Sequence, residues 1–120
     1  MKSTIFQRYG GFANVSKVVM SFYDKVLDSP VASPYFANTD MKRLVDHQTK
    51  FIAQVMGGPV SYTDEQLERV HDHLGITEVA FKETMELLME TLEDYDFADD
   101  DIQHVENEMM DRKNFIIAKR

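Results

Sequence analysis

Apolar residues recur every three or four positions over most of the chain, which is the spacing of one face of an α-helix. No stretch alternates between apolar and polar residues as a half-buried strand would. The pattern therefore predicts an all-α protein built from four long amphipathic helices. The four apolar stripes are Val15, Val18, Val19, Phe22, Tyr23 and Val26; Leu44, Gln48, Phe51, Ile52 and Val55; Phe81, Met85, Leu88 and Leu92; and Ile102, Val105, Met109 and Ile116.

Capping and helix-breaking residues separate these stripes. Ser29-Pro30 and Ser33-Pro34 interrupt the chain after the first stripe, because a residue before proline avoids the helical region. Asp40 and Thr77 are suited to cap the second and third helices, and Gly57-Gly58-Pro59 should end the second. A short helix around residues 3–8 is also expected. Further start and stop signals are the capping box at Thr63–Gln66, the glycine at 75 and the acidic run Asp99–Asp101.

Length and composition restrict the classes of protein to consider. A chain of 120 residues fits one domain, taken as residues 1–120. Without cysteine there can be no disulfide, thiolate zinc site or cysteine-ligated iron–sulfur cluster. No apolar run reaches the ~20 residues that span a bilayer, and the N-terminus lacks the features of a signal peptide. We therefore expect a cytoplasmic protein without a membrane partner.

Negative charge is concentrated in the second half of the chain. The formal net charge is −8, and residues 78–111 hold thirteen acidic residues and a single lysine, Lys82. Nucleic-acid binding requires a basic surface, so this half of the chain would repel phosphates. The ordinary interpretation of such a segment is a solvated surface. The alternative is an acidic docking surface for a basic partner.

Several polar side chains fall on apolar helical stripes. His71 shares a stripe with Leu67 and Leu74, whereas His73 lies roughly 200° around the same helix. Tyr23, Gln48 and His47 also lie on or beside buried faces, while His104 has a polar context. Each alone is more often a satisfied core residue, but together they resemble the lining of a polar ligand's pocket.

The available residue types narrow the chemistry of such a pocket. A zinc site would need three or four ligands, and neither cysteines nor an HExxH pattern is present. Asp72 and His73 lack an activated serine or cysteine for a catalytic triad. One imidazole, an apolar cavity and hydrogen-bonding groups on the far side fit haem iron better.

A set of short motifs then resembles the group I truncated haemoglobins over nearly the whole chain. Together, in this order and at these spacings, they are specific, although each alone is weak. The motifs are Tyr9-Gly10-Gly11, Phe22-Tyr23-Asp24-Lys25-Val26-Leu27, Tyr35-Phe36-Ala37-Asn38-Thr39-Asp40-Met41, His47-Gln48-Thr49-Lys50-Phe51, Gly57-Gly58-Pro59 and Val70-His71-Asp72-His73-Leu74-Gly75-Ile76.

The resemblance implies a two-over-two helical sandwich that holds haem b, with His71 as the proximal iron ligand. Tyr23 would be the main distal hydrogen-bond donor and Gln48 would assist it. The position of a distal histidine or glutamine in many globins would here be filled by Leu44. The remaining implied haem contacts are Phe36 on the porphyrin face, Arg43 at a propionate, and Phe51, Val70, Leu74, Phe81 and Met85 in the pocket walls.

Some relatives bond haem covalently through a histidine near the C-terminal end of the chain. The stretch Lys113-Asn114-Phe115 has none, so non-covalent haem is expected.

Three functions follow as hypotheses. The first is reversible binding of O₂, NO and CO, with nitric oxide dioxygenation that yields nitrate and relies on an external reductase, because the chain has no flavin or nicotinamide fold. The second is a hexacoordinate haem protein for sensing or electron transfer, in which His47 is the sixth iron ligand. His47 lies where some relatives have a histidine that binds the iron when no gas is present, and where others have a residue that points to the haem propionates, and the resemblance leaves both roles open. The third has no cofactor and treats the chain as an acidic helical interaction domain.

Overall fold

A computed structural model of the protein describes residues 4–60 and 75–117. Within these two ranges every regular element is helical and no strand occurs. The elements in chain order are α1 (Ile5–Arg8), α2 (Gly11–Asp28), a 3₁₀ helix (Ser33–Phe36), α3 (Met41–Val55), α4 (Glu78–Asp94), α5 (Asp99–Asp111) and α6 (Lys113–Ile116). The residues Val70, His71 and Leu74 and the Thr63–Gln66 capping box lie outside the described residues.

Side-chain caps fix where three helices begin. The Asp40 carboxylate accepts a hydrogen bond from the Arg43 amide at 3.3 Å. The Thr77 hydroxyl accepts from the Ala80 amide at 3.2 Å. These bonds satisfy amide groups that have no partner inside the first helical turn. Both predicted caps are confirmed, and Thr4 adds a third by forming a capping box at the start of α1.

The glycine pair after α3 turns the chain toward α1. Gly57 has φ +88°, a conformation that favours glycine. Gly58 donates its amide to the Ala53 carbonyl at 2.7 Å, while the Phe6 amide donates to the Met56 carbonyl at 2.9 Å. This turn therefore ends α3 as predicted and joins its end to the first helix.

Two helix pairs form the body of the fold. Helix α2 packs on α3, α4 packs on α5, and α2 also contacts α4. The apolar stripes of the four helices face each other and form one buried cluster. The predicted two-over-two helical sandwich is confirmed. Among residues 4–60 and 75–117, no helix combines the length and apolarity needed to cross a bilayer.

Three local predictions were wrong. The expected single helix from residue 99 to residue 116 is broken at Arg112, whose guanidinium donates to the Glu108 carbonyl and carboxylate at 2.8 and 3.0 Å. The first helix begins at Ile5 rather than near residue 3. The predicted solvated acidic surface does not include Asp101, which is buried against the Arg8 guanidinium and the Tyr9 hydroxyl.

Candidate functional site

A small enclosed cavity lies between the two helix pairs. Its volume is about 50 Å³. Apolar side chains form most of its wall, and the polar residues of its described lining are Tyr23, Gln48 and Thr84. The described lining residues are Val19, Phe22, Tyr23, Phe36, Gln48, Ile52, Ile76, Phe81, Thr84, Met85, Leu88, Met109 and Ile116.

Tyr23 and Gln48 meet across the interface between α2 and α3. The Gln48 Nε2 atom donates a hydrogen bond to the Tyr23 hydroxyl at 3.0 Å. The exposed fractions of the two residues are only 4% and 9%. Burial raises the pKa of the Tyr23 phenol well above its ordinary value, and the hydrogen bond from Gln48 offsets this only in part. The hydroxyl therefore stays protonated at neutral pH and can act as a donor.

Phe36 closes the cavity beside this pair. It ends the 3₁₀ helix, which Pro34 helps to start. Its ring is 5% exposed and meets the Tyr23 ring edge-on, with ring centres 5.8 Å apart. Edge-to-face aromatic contacts are favourable and directional, so Phe36 limits the positions open to the Tyr23 ring.

The opposite wall comes from α4, α5 and α6. Phe81 and Met85 are one turn apart on α4, and both are buried. Leu88 continues the same stripe, and Met109 and Ile116 reach the cavity from α5 and α6. This wall offers a broad apolar surface with no charge.

Leu44 and Phe51 are buried on α3, in the apolar core beside the cavity rather than among its described lining residues. Arg43 is exposed at the start of the same helix. His47 is half-buried and is not among the described lining residues either. Its pKa is lowered by burial and by the nearby charge of Lys50, while Asp46 acts in the opposite direction. Val70, His71 and Leu74 lie outside the described residues.

Eight of the described lining residues were not predicted as pocket residues. Six of these eight lie on the predicted apolar stripes, namely Val19, Phe22, Ile52, Leu88, Met109 and Ile116, and the other two, Ile76 and Thr84, do not. Ile76 follows the turn at Gly75 and belongs to none of the four apolar stripes. Thr84 is a polar residue type, yet its hydroxyl donates to the Phe81 carbonyl at 2.8 Å. That bond within the helix satisfies its only hydroxyl proton, which suits a threonine in an apolar wall. The position of Thr84, three residues after Phe81, was the available signal.

The donor set distinguishes between kinds of cofactor. In the part of the chain that the structure describes, no group of three histidine, aspartate or glutamate side chains could hold a bare metal ion. The cavity instead joins a mostly apolar wall to a buried phenol and amide. These residues fit haem, whose faces are apolar and whose gaseous ligands accept hydrogen bonds.

Comparisons with known proteins agree with this assignment. The family model for bacterial-like globins matches residues 4–118. A group 1 truncated haemoglobin from Tetrahymena pyriformis is 30% identical over 96 residues, which are 80% of this chain and 79% of that protein. Another, from Mycolicibacterium paratuberculosis, is 39% identical over 75 residues, covering 62% of this chain and 55% of that protein.

Solved structures give the same result for the whole fold. The ferric truncated haemoglobin of Tetrahymena pyriformis superposes with a TM-score of 0.86 at 26% identity, covering 98% of this chain and all of that one. The 2/2 haemoglobin of Synechococcus, described as cyanomet with covalently attached haem, also has a TM-score of 0.86, at 28% identity over 96% of this chain and 98% of that one. The chain belongs to the bacterial-like globin family and, within it, to the group 1 truncated haemoglobins.

Proposed function

We propose that this globin binds haem b non-covalently, binds O₂, CO and NO through it, and acts as a nitric oxide dioxygenase. Haem supplies the iron that binds the gas and the redox chemistry that converts NO and O₂ to nitrate. The observation that carries the proposal is the buried hydrogen bond between Tyr23 and Gln48 on an otherwise apolar cavity.

In that bond the Tyr23 hydroxyl accepts, so its own proton is available to a ligand in the cavity. The pair is held in place from two helices, and Phe36 restrains the tyrosine ring. A donor fixed before the ligand arrives stabilises developing negative charge without reorganising. Tyr23 is therefore proposed as the main donor to a bound gas and Gln48 as the residue that orients it.

The rest of the cavity suits a second apolar gas. Leu44 is buried on the α3 face one turn before Gln48, so its position adds an apolar side chain to that face. Phe81 and Met85 extend the apolar wall. Such surroundings would hold O₂ by the donor pair while leaving NO an approach free of strongly hydrated groups.

The remaining contacts are assigned by resemblance. His71 is proposed as the proximal iron ligand, with Val70 and Leu74 beside the haem and Phe51 in its wall. Arg43 is exposed at the start of α3, where a flexible cation could reach a haem propionate. Two further proposals are a cytoplasmic location and an external reductase that returns the iron to the ferrous state.

The proposal of non-covalent attachment rests on the C-terminal part of the chain. The Synechococcus relative carries covalently attached haem. Here no histidine follows His104 in the sequence, and that residue is exposed on α5. Acidified acetone should extract the haem completely, whereas a covalent bond would leave it with the protein.

A second function is a hexacoordinate haem protein for sensing or electron transfer, with His47 as the sixth ligand. It is favoured by the half-buried position of His47, next to Gln48 on α3. The visible spectrum of the deoxygenated ferrous protein separates the two functions. Split low-spin bands that vanish in His47→Ala support the second function, and one broad high-spin band supports the open-site dioxygenase.

Haem reconstitution followed by reaction with NO tests the main proposal. The purified chain should develop a Soret band with added haem, and His71→Ala should remove or shift it. His104→Ala is the matched control, because His104 is exposed and should leave the band unchanged. The oxygenated protein mixed with NO should then give one nitrate per haem. No Soret band, or a band indifferent to His71→Ala, would falsify the haem assignment.

A further inference from the structure

An open groove runs along the outer side of α4, facing α5 and α6. It encloses about 580 Å³. Three methionines line it, Met85 and Met89 from α4 and Met110 from α5. Glu86, Glu93 and Glu106 stand among the residues at its sides. We call this feature the acidic groove, and it is distinct from the enclosed cavity described above.

The methionines give the acidic groove an adaptable apolar surface. Met110 is 48% exposed, Met89 is half-buried and Met85 is buried. Methionine is unbranched, flexible and polarisable, so its side chains can adjust to the shape of an apolar partner. Because the three methionines line one groove, the exposed Met110 is part of a shared apolar lining rather than an isolated surface residue.

The charges of the groove are unbalanced. Among the described residues, five glutamates and two lysines line it. One lysine, Lys113, is 3.5 Å from Glu78, so these two charges offset each other at one end. Lys25 of α2 lies 3.6 Å from Glu90, and its positive charge partly offsets the negative charge of that glutamate. Glu86, Glu93 and Glu106 then remain against the other lysine, Lys82, so the described lining keeps an excess of negative charge, in a chain whose net charge is −8.

The length of the groove suits a helix. Residues 78 to 93 of α4 line it, a distance of roughly 22 Å at 1.5 Å per residue. An amphipathic helix of about 15 residues has that length and presents apolar side chains at three- and four-residue spacing. Positive side chains beside its apolar stripe would meet the glutamates, which favours association and excludes acidic partners.

We infer that the acidic groove binds a basic amphipathic helix of another protein. A second copy of this chain is a poorer occupant, because it would bring its own excess of negative charge to an acidic surface. The inference does not depend on the proposed haem chemistry. Phe81 and Met85 line both the groove and the enclosed cavity, so a bound helix would touch residues that also form the cavity wall.

A designed peptide tests this directly. The probe is a helical peptide of about 15 residues made of leucine and lysine, with the leucines on one face. The matched peptide carries glutamate in place of lysine. Titration calorimetry with the purified full chain should detect the lysine peptide alone, and its affinity should weaken at high salt. The inference would be overturned if both peptides bound with equal affinity, or if neither peptide bound.

Paired variants locate the site. Glu86→Gln with Glu93→Gln should weaken binding by about fivefold, from the loss of two exposed charge pairs. Asp24→Asn with Asp28→Asn removes the same charge from exposed positions on α2 and should change it less than about twofold. Met110→Gln should also weaken binding, whereas Met20→Gln, at a 56% exposed position on α2, should not. Equal effects of the groove and control variants contradict a site in the groove.

Two further measurements test whether the acidic groove is filled by something other than a helix of another protein. A chain shortened after Ile117 should bind the lysine peptide as the full chain does. A large gain in affinity on removing residues 118–120, which include Lys119 and Arg120, would identify the chain's own end as the occupant. Analytical sedimentation compares the parent protein with the Glu86→Gln, Glu93→Gln double variant. The degree of self-association should be the same in both. A dimer that this variant strengthens would assign the groove to a second copy and overturn the inference.

Discussion

The Gln48 amide donates a 3.0 Å hydrogen bond to the buried hydroxyl of Tyr23, and the two residues come from different helices. Because the tyrosine accepts in this bond, its own proton can point toward a ligand. The arrangement resembles a two-part donor, in which α3 supplies the orientation and α2 supplies the proton.

Tyr23→Phe should raise the rate of O₂ release by about 10- to 100-fold, the effect of one hydrogen bond to a charged acceptor. Stopped-flow displacement of O₂ by CO measures this rate. Tyr35→Phe is the matched control, because the Tyr35 hydroxyl lies near the surface with Thr77 at 3.2 Å. An O₂ release rate equal to that of the parent protein would remove Tyr23 from its assigned role.

The two polar residues should act as one unit. If Gln48 works by orienting the Tyr23 hydroxyl, Gln48→Leu should speed O₂ release, and the double variant with Tyr23→Phe should be little faster than Tyr23→Phe alone. A double-mutant cycle on the release rates gives the coupling. Strictly multiplicative effects would mean that Gln48 contacts the ligand independently of Tyr23.

Asp101 should make the fold sensitive to acid. Hydrogen bonds from Arg8 at 2.7 and 2.9 Å lower the pKa of this carboxyl, burial opposes them, and the Tyr9 hydroxyl adds a further lowering bond at 2.6 Å. A pKa that is lower in the folded state gives stability above the unfolded pKa, and this stability is lost as pH falls through the folded value. Its loss is therefore expected below about pH 4.

Asp101→Asn should reduce the free energy of unfolding at pH 7 by on the order of 1 kcal/mol, and the difference from the parent protein should shrink toward pH 3. Urea denaturation followed by circular dichroism measures both. Asp100→Asn is the control, since Asp100 is exposed in the same helical turn. A difference that stays constant down to pH 3 would show that the charge of Asp101 is not the cause.

Gly58 and Gly75 should respond differently to alanine. A Cβ atom at Gly58 would lie 2.8 Å from the Phe6 ring and 2.9 Å from the Ala53 carbonyl oxygen. At Gly75 a Cβ atom would meet no described residue within 4 Å, although φ is +65°. Gly58→Ala should therefore lower the unfolding free energy by about 1–3 kcal/mol through overpacking, and Gly75→Ala by about 1 kcal/mol through the strained backbone alone. Urea denaturation of both variants checks the order, and the reverse order would contradict it.

Helical periodicity predicted much of the fold, because each long helix buries one face and that face repeats in the sequence. The same stripes place Tyr23 and Gln48 inward, and the structure brings them within hydrogen-bond distance. Capping at Asp40 and Thr77 was readable because a cap acts on amides only three residues away.

Contacts between residues that are far apart in the sequence could not be predicted from helical periodicity or capping. Asp101 and Arg8 are 93 positions apart, so an acidic helix start gave no sign of a buried ion pair. At the break between α5 and α6, the Arg112 side chain bonds back to Glu108, and no periodic pattern predicted either feature. Ile76 reaches the cavity through the turn at Gly75, and no periodic pattern covers such a turn. Sequence therefore indicated which faces are buried, while the pairing of particular side chains required the folded chain.

The wall that Phe81 and Met85 form between the cavity and the acidic groove constrains how such a protein can evolve. A substitution there that reshapes the inner surface also reshapes the outer one. If the proposed function and the inferred partner hold, ligand selectivity and choice of partner therefore cannot change independently at these two positions. Lineages that change one of them should show compensating changes on the facing surfaces of α5 and α6.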